Sequence, residues 1–193
     1  CDSRGYPKYL RRRGTGGSTW EIVVATMIRK VTPQDAGEVA AIYNYYIEKT
    51  TITFEESCLS DLDLSARIED LTSRNYPWLV YQLDGRVVGY AYAAPWRTRA
   101  AYRFTVESAV YVDRSVVGTG IGSQLYEKLF EELAENGFKT VLSLIALPNQ
   151  KSVRMHEKFG FLPAGHHREV GFKFDQWIDV GVWQLMLPPA GSR

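Results

Sequence analysis

Residues 106–126 read VESAVYVDRSVVGTGIGSQLY. An apolar strand broken by one glutamate runs into three glycines at alternate positions, Gly118, Gly120 and Gly122. The pattern then turns helical, with Ile121, Leu125, Leu129 and Leu133 spaced by four. The glycine spacing separates two folds. A dinucleotide fingerprint needs G-x-G-x-x-G after the first strand of a βαβ unit, with an acidic residue about 20 positions on. Ser123 stands where its third glycine belongs, and the preceding strand comes fourth in the chain, so that reading fails. What remains is a strand ending at Val112, a short loop, and a helix start whose unpaired N–H groups and positive dipole end can receive an anion. The loop alone serves a tight strand-to-helix turn equally well.

Working outward, ATMIRKV reads as a short first strand. Thr32, Pro33 and Asp35 signal a helix start, and Ala36, Val39, Ala40, Tyr43, Tyr46 and Ile47 give that helix one buried face. A second helix is expected over residues 60–73. PWLVYQLD and RVVGYAYAAPW flank Asp84-Gly85, a hairpin signal, and YRFTVESAVYV makes the next strand. The helix after the glycine loop stops at Asn136-Gly137. FKTVLSLIAL reads as a strand, SVRMHEKFG as a short helix closed by Gly160, and FKFDQWIDVGVWQLML as a final pair of strands. The order β, α, α, β, β, β, α, β, α, β, β describes an α/β protein with a mixed sheet flanked by helices rather than a regular βαβ array.

Composition narrows the function. At 193 residues, 45% hydrophobic and 23% charged, the chain suits one globular domain, and a net charge of +1 gives no electrostatic case for binding nucleic acid. No stretch approaches the ~18–20 apolar residues of a membrane span. Cys1 and Cys58 provide neither a disulfide framework nor a metal cluster, and no metal is expected. Residues 1–26 carry five basic side chains against two acidic ones and precede MIRKVTPQD, so they are expected to be an N-terminal extension, disordered or non-native, outside a domain of residues 27–187. Residues 188–193 form a tail. Nothing in the sequence points outside the cytoplasm.

Two titratable residues stand out. Strand alternation puts Val106, Ser108, Val110 and Val112 on one face and Glu107 with Tyr111 on the other. A glutamate inside an apolar strand is costly if buried without partners; it is solvated, paired with an arginine, or functional. In SVRMHEKF, helical geometry stacks Ser152 and His156 on adjacent turns, where a histidine is structural or chemical. Asn149 precedes that helix and suits its N-cap.

Taken together, VESAVYVDRSVVGTGIGSQLY and IALPNQKSVRMHEKFGF resemble the two acetyl-CoA-binding segments of the GNAT N-acetyltransferases. YNYYIEKTTITF, NYPWLV, GYAYAAPWRTRAAY and GFKFDQWIDVGVWQL extend the resemblance to the phosphinothricin acetyltransferase branch, which includes enzymes that acetylate methionine sulfoximine and methionine sulfone. It spans about residues 27–187. It implies the GNAT fold, a twisted, mostly antiparallel sheet of about seven strands with about four helices. It also implies acetyl transfer from acetyl-CoA to the primary amine of a small amino-acid-like substrate, a homodimer, and a role of the herbicide or antibiotic resistance type.

The resemblance assigns roles residue by residue. Glu107 is implied as the base that deprotonates the amine, and His156, where many members carry tyrosine, stands beside the cofactor sulfur. Main-chain groups of Val110, Tyr111 and Val112 are implied to pair with the pantetheine arm, a Val110 N–H also facing the oxyanion. The pyrophosphate loop comprises Val117, Gly118, Thr119, Gly120, Ile121, Gly122 and Ser123, with Asn149 and Ser152 nearby. Val117 departs from the usual Gln or Arg of that loop, which implies weaker cofactor affinity. On the acceptor side the connector PWRTRAAY sets Arg97, Arg99 and Tyr102 just before the Glu107 strand, where they dock a carboxylate, phosphinate or sulfone or belong to a solvated basic loop. The resemblance implies Phe54 and Glu55 as the opposite wall, and Lys173, Trp177 and Trp183 line the pocket, form a dimer contact, or lie in the core. Other amines, such as an aminoglycoside, a polyamine or a peptide N-terminus, and a non-catalytic acyl-CoA-binding domain are the alternatives.

Overall fold

The computed structural model describes residues 10–12, 20–22 and 26–189. Two short antiparallel strands, β1 (Leu10–Arg12) and β2 (Trp20–Ile22), precede β3 (Thr26–Lys30), α1 (Ala36–Lys49) and α2 (Asp61–Ser73). The hairpin of β4 (Trp78–Leu83) and β5 (Arg86–Pro95) leads to β6 (Thr105–Val112), α3 (Ile121–Glu135), β7 (Thr140–Leu147) and α4 (Gln150–Lys158). A long hairpin, β8 (Leu162–Lys173) and β9 (Gln176–Met186), closes the chain. The expected N-terminal extension falls mostly outside the described residues, as do residues 190–193 of the tail.

Seven strands form one sheet in the order β3-β4-β5-β6-β7-β9-β8. Within it β6 and β7 run parallel, and every other neighbouring pair is antiparallel. The mostly antiparallel seven-stranded sheet with four helices is the architecture expected. The β4–β5 turn has Asp84 at φ 50° and Gly85 at φ 80°, the left-handed pair that a two-residue hairpin with matching twist requires. The last hairpin begins ten residues earlier than the apolar pattern suggested. Residues 162–170 are exposed throughout and show no alternation; main-chain pairing with β9 holds them in the sheet.

Two cores lie on opposite faces of the sheet. On one, Ile121, Leu125, Leu129 and Leu133 of α3 pack with Val106, Val141 and Val153, and fully burying each leucine contributes about 1.5–3 kcal/mol. On the other, α1 and α2 cover Trp78, Val80 and Tyr90. Val110 and Val112 pack against the first core and Tyr111 against the second, so the alternation read from β6 holds and Glu107 shares the Tyr111 side.

The start of α1 is fixed by Asp35. Its buried carboxylate takes two hydrogen bonds from the Arg29 guanidinium, at 2.6 and 2.7 Å, and two from the N–H and hydroxyl of Thr32, at 2.7 and 3.0 Å. The Arg29 bond is the main reason its pKa lies below the usual aspartate value. Asp35→Ala, by leaving Arg29 without its partner, is expected to cost about 2–3 kcal/mol in urea denaturation at pH 7. Because the folded pKa is depressed, the stabilisation is present above the ordinary aspartate pKa. The gap between the two proteins should close as pH falls through the depressed value.

Candidate active site

β6 and β7 separate partway along. Thr105, Val106 and Glu107 pair with Thr140, Val141 and Leu142, and the pairing stops there, while β7 continues to Leu147 against β9. β6 itself stays paired with β5 to its end, Val112 opposite Gly89. The Asp113 N–H donates to the Val88 carbonyl and the Trp96 N–H to the Thr105 carbonyl, so odd-numbered residues of β6 turn their peptide groups to β5. Even-numbered residues turn theirs the other way. The parallel pair of Glu107 with Leu142 uses the Ser108 N–H, and beyond it the C=O of Ser108 and the N–H and C=O groups of Val110 and Val112 face the gap that β7 has left. The Val112 carbonyl already takes the Tyr46 hydroxyl at 2.6 Å, which ties α1 to the end of the strand.

A cavity of about 280 Å³ occupies this gap, lined on the β6 side by Glu107, Ser108 and Val110 and on the β7 side by Ser143, Leu144 and Ala146. Tyr126, Ser152 and His156 form its floor, and Tyr43, Thr53, Phe54 and Tyr92 its upper wall. Glu107 is half-buried, and burial raises its pKa above the usual glutamate value, with the Arg97 charge pulling it partly back. That combination suits a carboxylate that accepts a proton near neutral pH.

His156 is 3% exposed and fully engaged. Its Nδ1 lies 2.8 Å from the Ser152 carbonyl oxygen, so that nitrogen carries the proton and donates. Nε2 then accepts from the Tyr126 hydroxyl at 3.1 Å. Burial lowers the imidazole pKa and the Ser152 carbonyl only partly offsets it, so the ring is neutral at pH 7. Tyr126 is also buried, its pKa pushed up to about 12 chiefly by desolvation, with hydrogen bonding from Ser108 and Ser143 opposing. Those two serine hydroxyls lie 2.8 Å apart. The floor is thus a neutral chain of hydroxyls ending at an imidazole, and the sequence reading found only the imidazole. Two serines on the core-facing side of otherwise apolar strands were the signal for the rest.

Beyond Val112 the chain passes Val117, which is exposed, and reaches the glycine loop, where Gly118 and Gly120 have φ of 88° and 89°. The Thr119 N–H and hydroxyl both bond the Val116 carbonyl and close the turn. Ile121, Gly122 and Ser123 open α3, where backbone N–H groups have no acceptor within the helix. Gly122 packs against the Val110 and Val112 side chains, near enough that a Cβ would make ordinary contact with both. Asn149 caps α4, its side-chain oxygen accepting the Ser152 N–H at 3.2 Å. Unpaired strand peptides leading to a glycine loop and open helix amides fit a long ligand with an amide-bearing arm and an anionic end.

The acceptor-side residues divide. Phe54 lines the cavity, whereas Glu55 pairs with Arg67 at 2.8 Å beside it. Lys173 is buried and donates to the Thr53 carbonyl at 2.8 Å, tying the β8–β9 hairpin to the loop that carries Phe54. Burial is the main cause of its lowered pKa. Arg97 and Arg99 line a separate neighbouring cleft, and Tyr102 is exposed in the turn between β5 and β6. Trp183 belongs to the core, while Trp177 is exposed and packs on Phe172. Among the described residues no group of three or more His, Cys, Asp or Glu side chains is placed to hold a metal ion, and no helix is long and apolar enough to cross a membrane.

Comparison with known proteins agrees with this geometry. Residues 28–182 match the acetyltransferase (GNAT) domain family. The chain is 43% identical to the phosphinothricin N-acetyltransferase of Streptomyces viridochromogenes, over 86% of this chain and 92% of that protein. It is 32% identical to the L-methionine sulfoximine/L-methionine sulfone acetyltransferase of Pseudomonas aeruginosa, over 88% and 99%. A phosphinothricin acetyltransferase from Sinorhizobium meliloti, solved in complex with acetyl-CoA, superposes with a TM-score of 0.82 at 29% identity, covering 87% of this chain and 92% of that one. The chain therefore belongs to the GNAT acetyltransferase family, in the branch of the phosphinothricin and methionine sulfoximine acetyltransferases.

Proposed function

We propose that this N-acetyltransferase uses the gap between β6 and β7 for acetyl-CoA and Glu107 as the base for the amine of a small amino-acid-like acceptor. The observation that carries the reading is the strand separation immediately after Glu107, which sets unpaired peptide groups beside a carboxylate of raised pKa. When bound, acetyl-CoA supplies an acetyl group activated as a thioester. The peptides of Val110 and Val112 hold the pantetheine arm, and amides of residues 118–123 receive the pyrophosphate. Glu107 takes the proton that the amine must lose to become nucleophilic. The Val110 N–H donates where negative charge develops on the attacked carbonyl oxygen.

His156 acts through Tyr126 in this scheme. With both ring nitrogens engaged, the imidazole accepts the phenol's one proton and holds the ring in place, and of the two hydrogen-bonded serine hydroxyls one keeps a proton for the departing sulfur. On the acceptor side Phe54 forms a wall, and Arg97 and Arg99, with Tyr102, receive the carboxylate. Glu55 and Lys173 shape the loop. We further propose that the chain works as a cytoplasmic homodimer; the exposed Val170, Phe172, Phe174 and Trp177 of the β8–β9 hairpin offer an apolar face for the second copy.

Glu107→Gln should lower kcat for CoA thiol release about 10²–10⁴-fold while leaving acetyl-CoA binding intact. In Arg97→Gln, loss of the charge that holds the Glu107 pKa down should move the acidic limb of the kcat/KM pH profile to higher pH. Wild-type turnover in Glu107→Gln from pH 6 to 9 would remove the base assignment.

Val117→Arg restores a side-chain contact to the pyrophosphate and should tighten acetyl-CoA binding about tenfold by calorimetry; equal affinities would contradict the loop assignment. A Cβ at Gly171 would overlap the Phe54 ring. Gly171→Ala should therefore raise the acceptor KM several-fold with little change in the acetyl-CoA KM, measured in the same thiol-release assay.

A further inference from the structure

The last carbonyl on the open edge of β6 has a partner from outside the sheet. Val112 ends the strand, and its C=O, which faces the slot, accepts the Tyr46 hydroxyl at 2.6 Å. The N–H of the same peptide is held from the other side, where Asp113 donates to the Val88 carbonyl at 2.8 Å. The peptide plane at the end of β6 is therefore pinned from both edges of the strand.

Tyr46 is itself firmly placed. It lies half-buried near the end of α1, with its ring edge-on to Tyr111 at 5.2 Å between centroids. The helix is fixed in turn by Asn44, whose side-chain amide exchanges two hydrogen bonds of 2.9 Å with the main chain of Leu59. Next to Tyr46, the Tyr45 ring lies 5.4 Å from the Arg114 guanidinium. Neighbouring residues of α1 thus hold the chain on either side of Asp113, at the point where the strand becomes the glycine loop. Burial raises the phenol pKa above the usual tyrosine value and the bond to Val112 opposes it only partly, so the hydroxyl keeps its proton and remains a donor.

A strand-end carbonyl beside an open slot could be satisfied by water, but an entering ligand would have to displace that water. A phenol donating from α1 stays in place. It uses one of the two lone pairs of the carbonyl oxygen and leaves the other for the slot. With the thioester oxygen at the Val110 N–H and the pyrophosphate at residues 118–123, the cofactor arm runs toward the end of β6. Val112 lies two residues, about 6.6 Å, beyond Val110 along the strand. Of the two amides in the pantetheine arm, the outer one, farther from the sulfur, then brings its N–H to the Val112 carbonyl.

We propose that Tyr46 is a positioning residue for the acetyl donor. Its hydroxyl fixes the Val112 carbonyl so that one lone pair receives the outer amide of the arm, which sets where the arm stops along β6. The inference rests on the acetyl-transfer reading above.

The test uses three acetyl donors with phosphinothricin as acceptor. Acetyl-CoA and S-acetylpantetheine both carry the outer amide, whereas S-acetyl-N-acetylcysteamine ends after the inner one. Tyr46→Phe, which removes only the hydroxyl, should lower kcat/KM about fivefold with the first two donors, through KM rather than kcat, and leave the third unchanged. By calorimetry CoA should bind the variant about fivefold more weakly. Equal losses with all three donors, or a loss in kcat alone, would make Tyr46 a structural support of the strand and overturn the proposal. Unchanged or tighter CoA binding in the variant would overturn it too. If the wild-type protein releases no thiol from acetyl-CoA, the transfer reading falls, and calorimetry with CoA and pantetheine against N-acetylcysteamine decides the role of Tyr46 alone.

Discussion

The peptide groups of β6 beyond Glu107 govern the rest of the molecule. Buried N–H and C=O groups need partners, and within a sheet the neighbouring strand normally supplies them. Here β5 satisfies one edge of β6 along its whole length, while β7 satisfies the other only as far as Glu107. The parting is stable because both strands are anchored elsewhere, β6 by β5 and β7 by an eight-residue ladder with β9. The sheet thus remains continuous while a slot with unmet hydrogen-bonding capacity opens inside it. An amide-bearing arm lying in that slot completes the ladder much as an added strand would.

The chemistry follows from what borders the slot. Glu107 sits at the last paired position of β6, shielded enough that burial raises its pKa, with Arg97 moderating the rise. Opposite it, Tyr126 and His156 are kept neutral by burial, so the floor offers oriented hydroxyls and no net charge. In the proposed scheme Glu107 is the one acceptor for the proton leaving the amine, since the hydroxyls and the imidazole of the floor are engaged with one another. Charge of the opposite sign is placed on the far side of the acceptor wall, where Arg97 and Arg99 line a neighbouring cleft. The same scheme orients the acceptor by electrostatics, its amine toward Glu107 and its carboxylate toward Arg97.

Much of this was legible in the sequence because it depends on periodicity and on local turn chemistry. The alternation through Val106, Glu107 and Tyr111, the Asp84-Gly85 turn and the four-residue spacing from Ile121 to Leu133 each reflect one element meeting one core. Strand β8 was largely missed because residues 162–170 are exposed on both sides and their pairing is a main-chain property. The hydroxyl network was missed because Ser108, Tyr126, Ser143 and His156 come from four separate elements and meet only in the folded chain. The sequence reading places Lys173 on the acceptor side or at a dimer contact, and in the folded chain it is buried with one ammonium N–H on the Thr53 carbonyl. Side chains that bond main-chain groups 120 residues away leave no trace in local pattern.

The central claim is that the open edge of β6 is the cofactor's hydrogen-bonding partner. A crystal structure with coenzyme A bound tests it most directly. The pantetheine amides should lie within hydrogen-bond distance of the Val110 and Val112 peptide groups, with the pyrophosphate on the amides of residues 118–123. Coenzyme A bound outside the slot, or β6 and β7 paired through to Val112 in the complex, would contradict it.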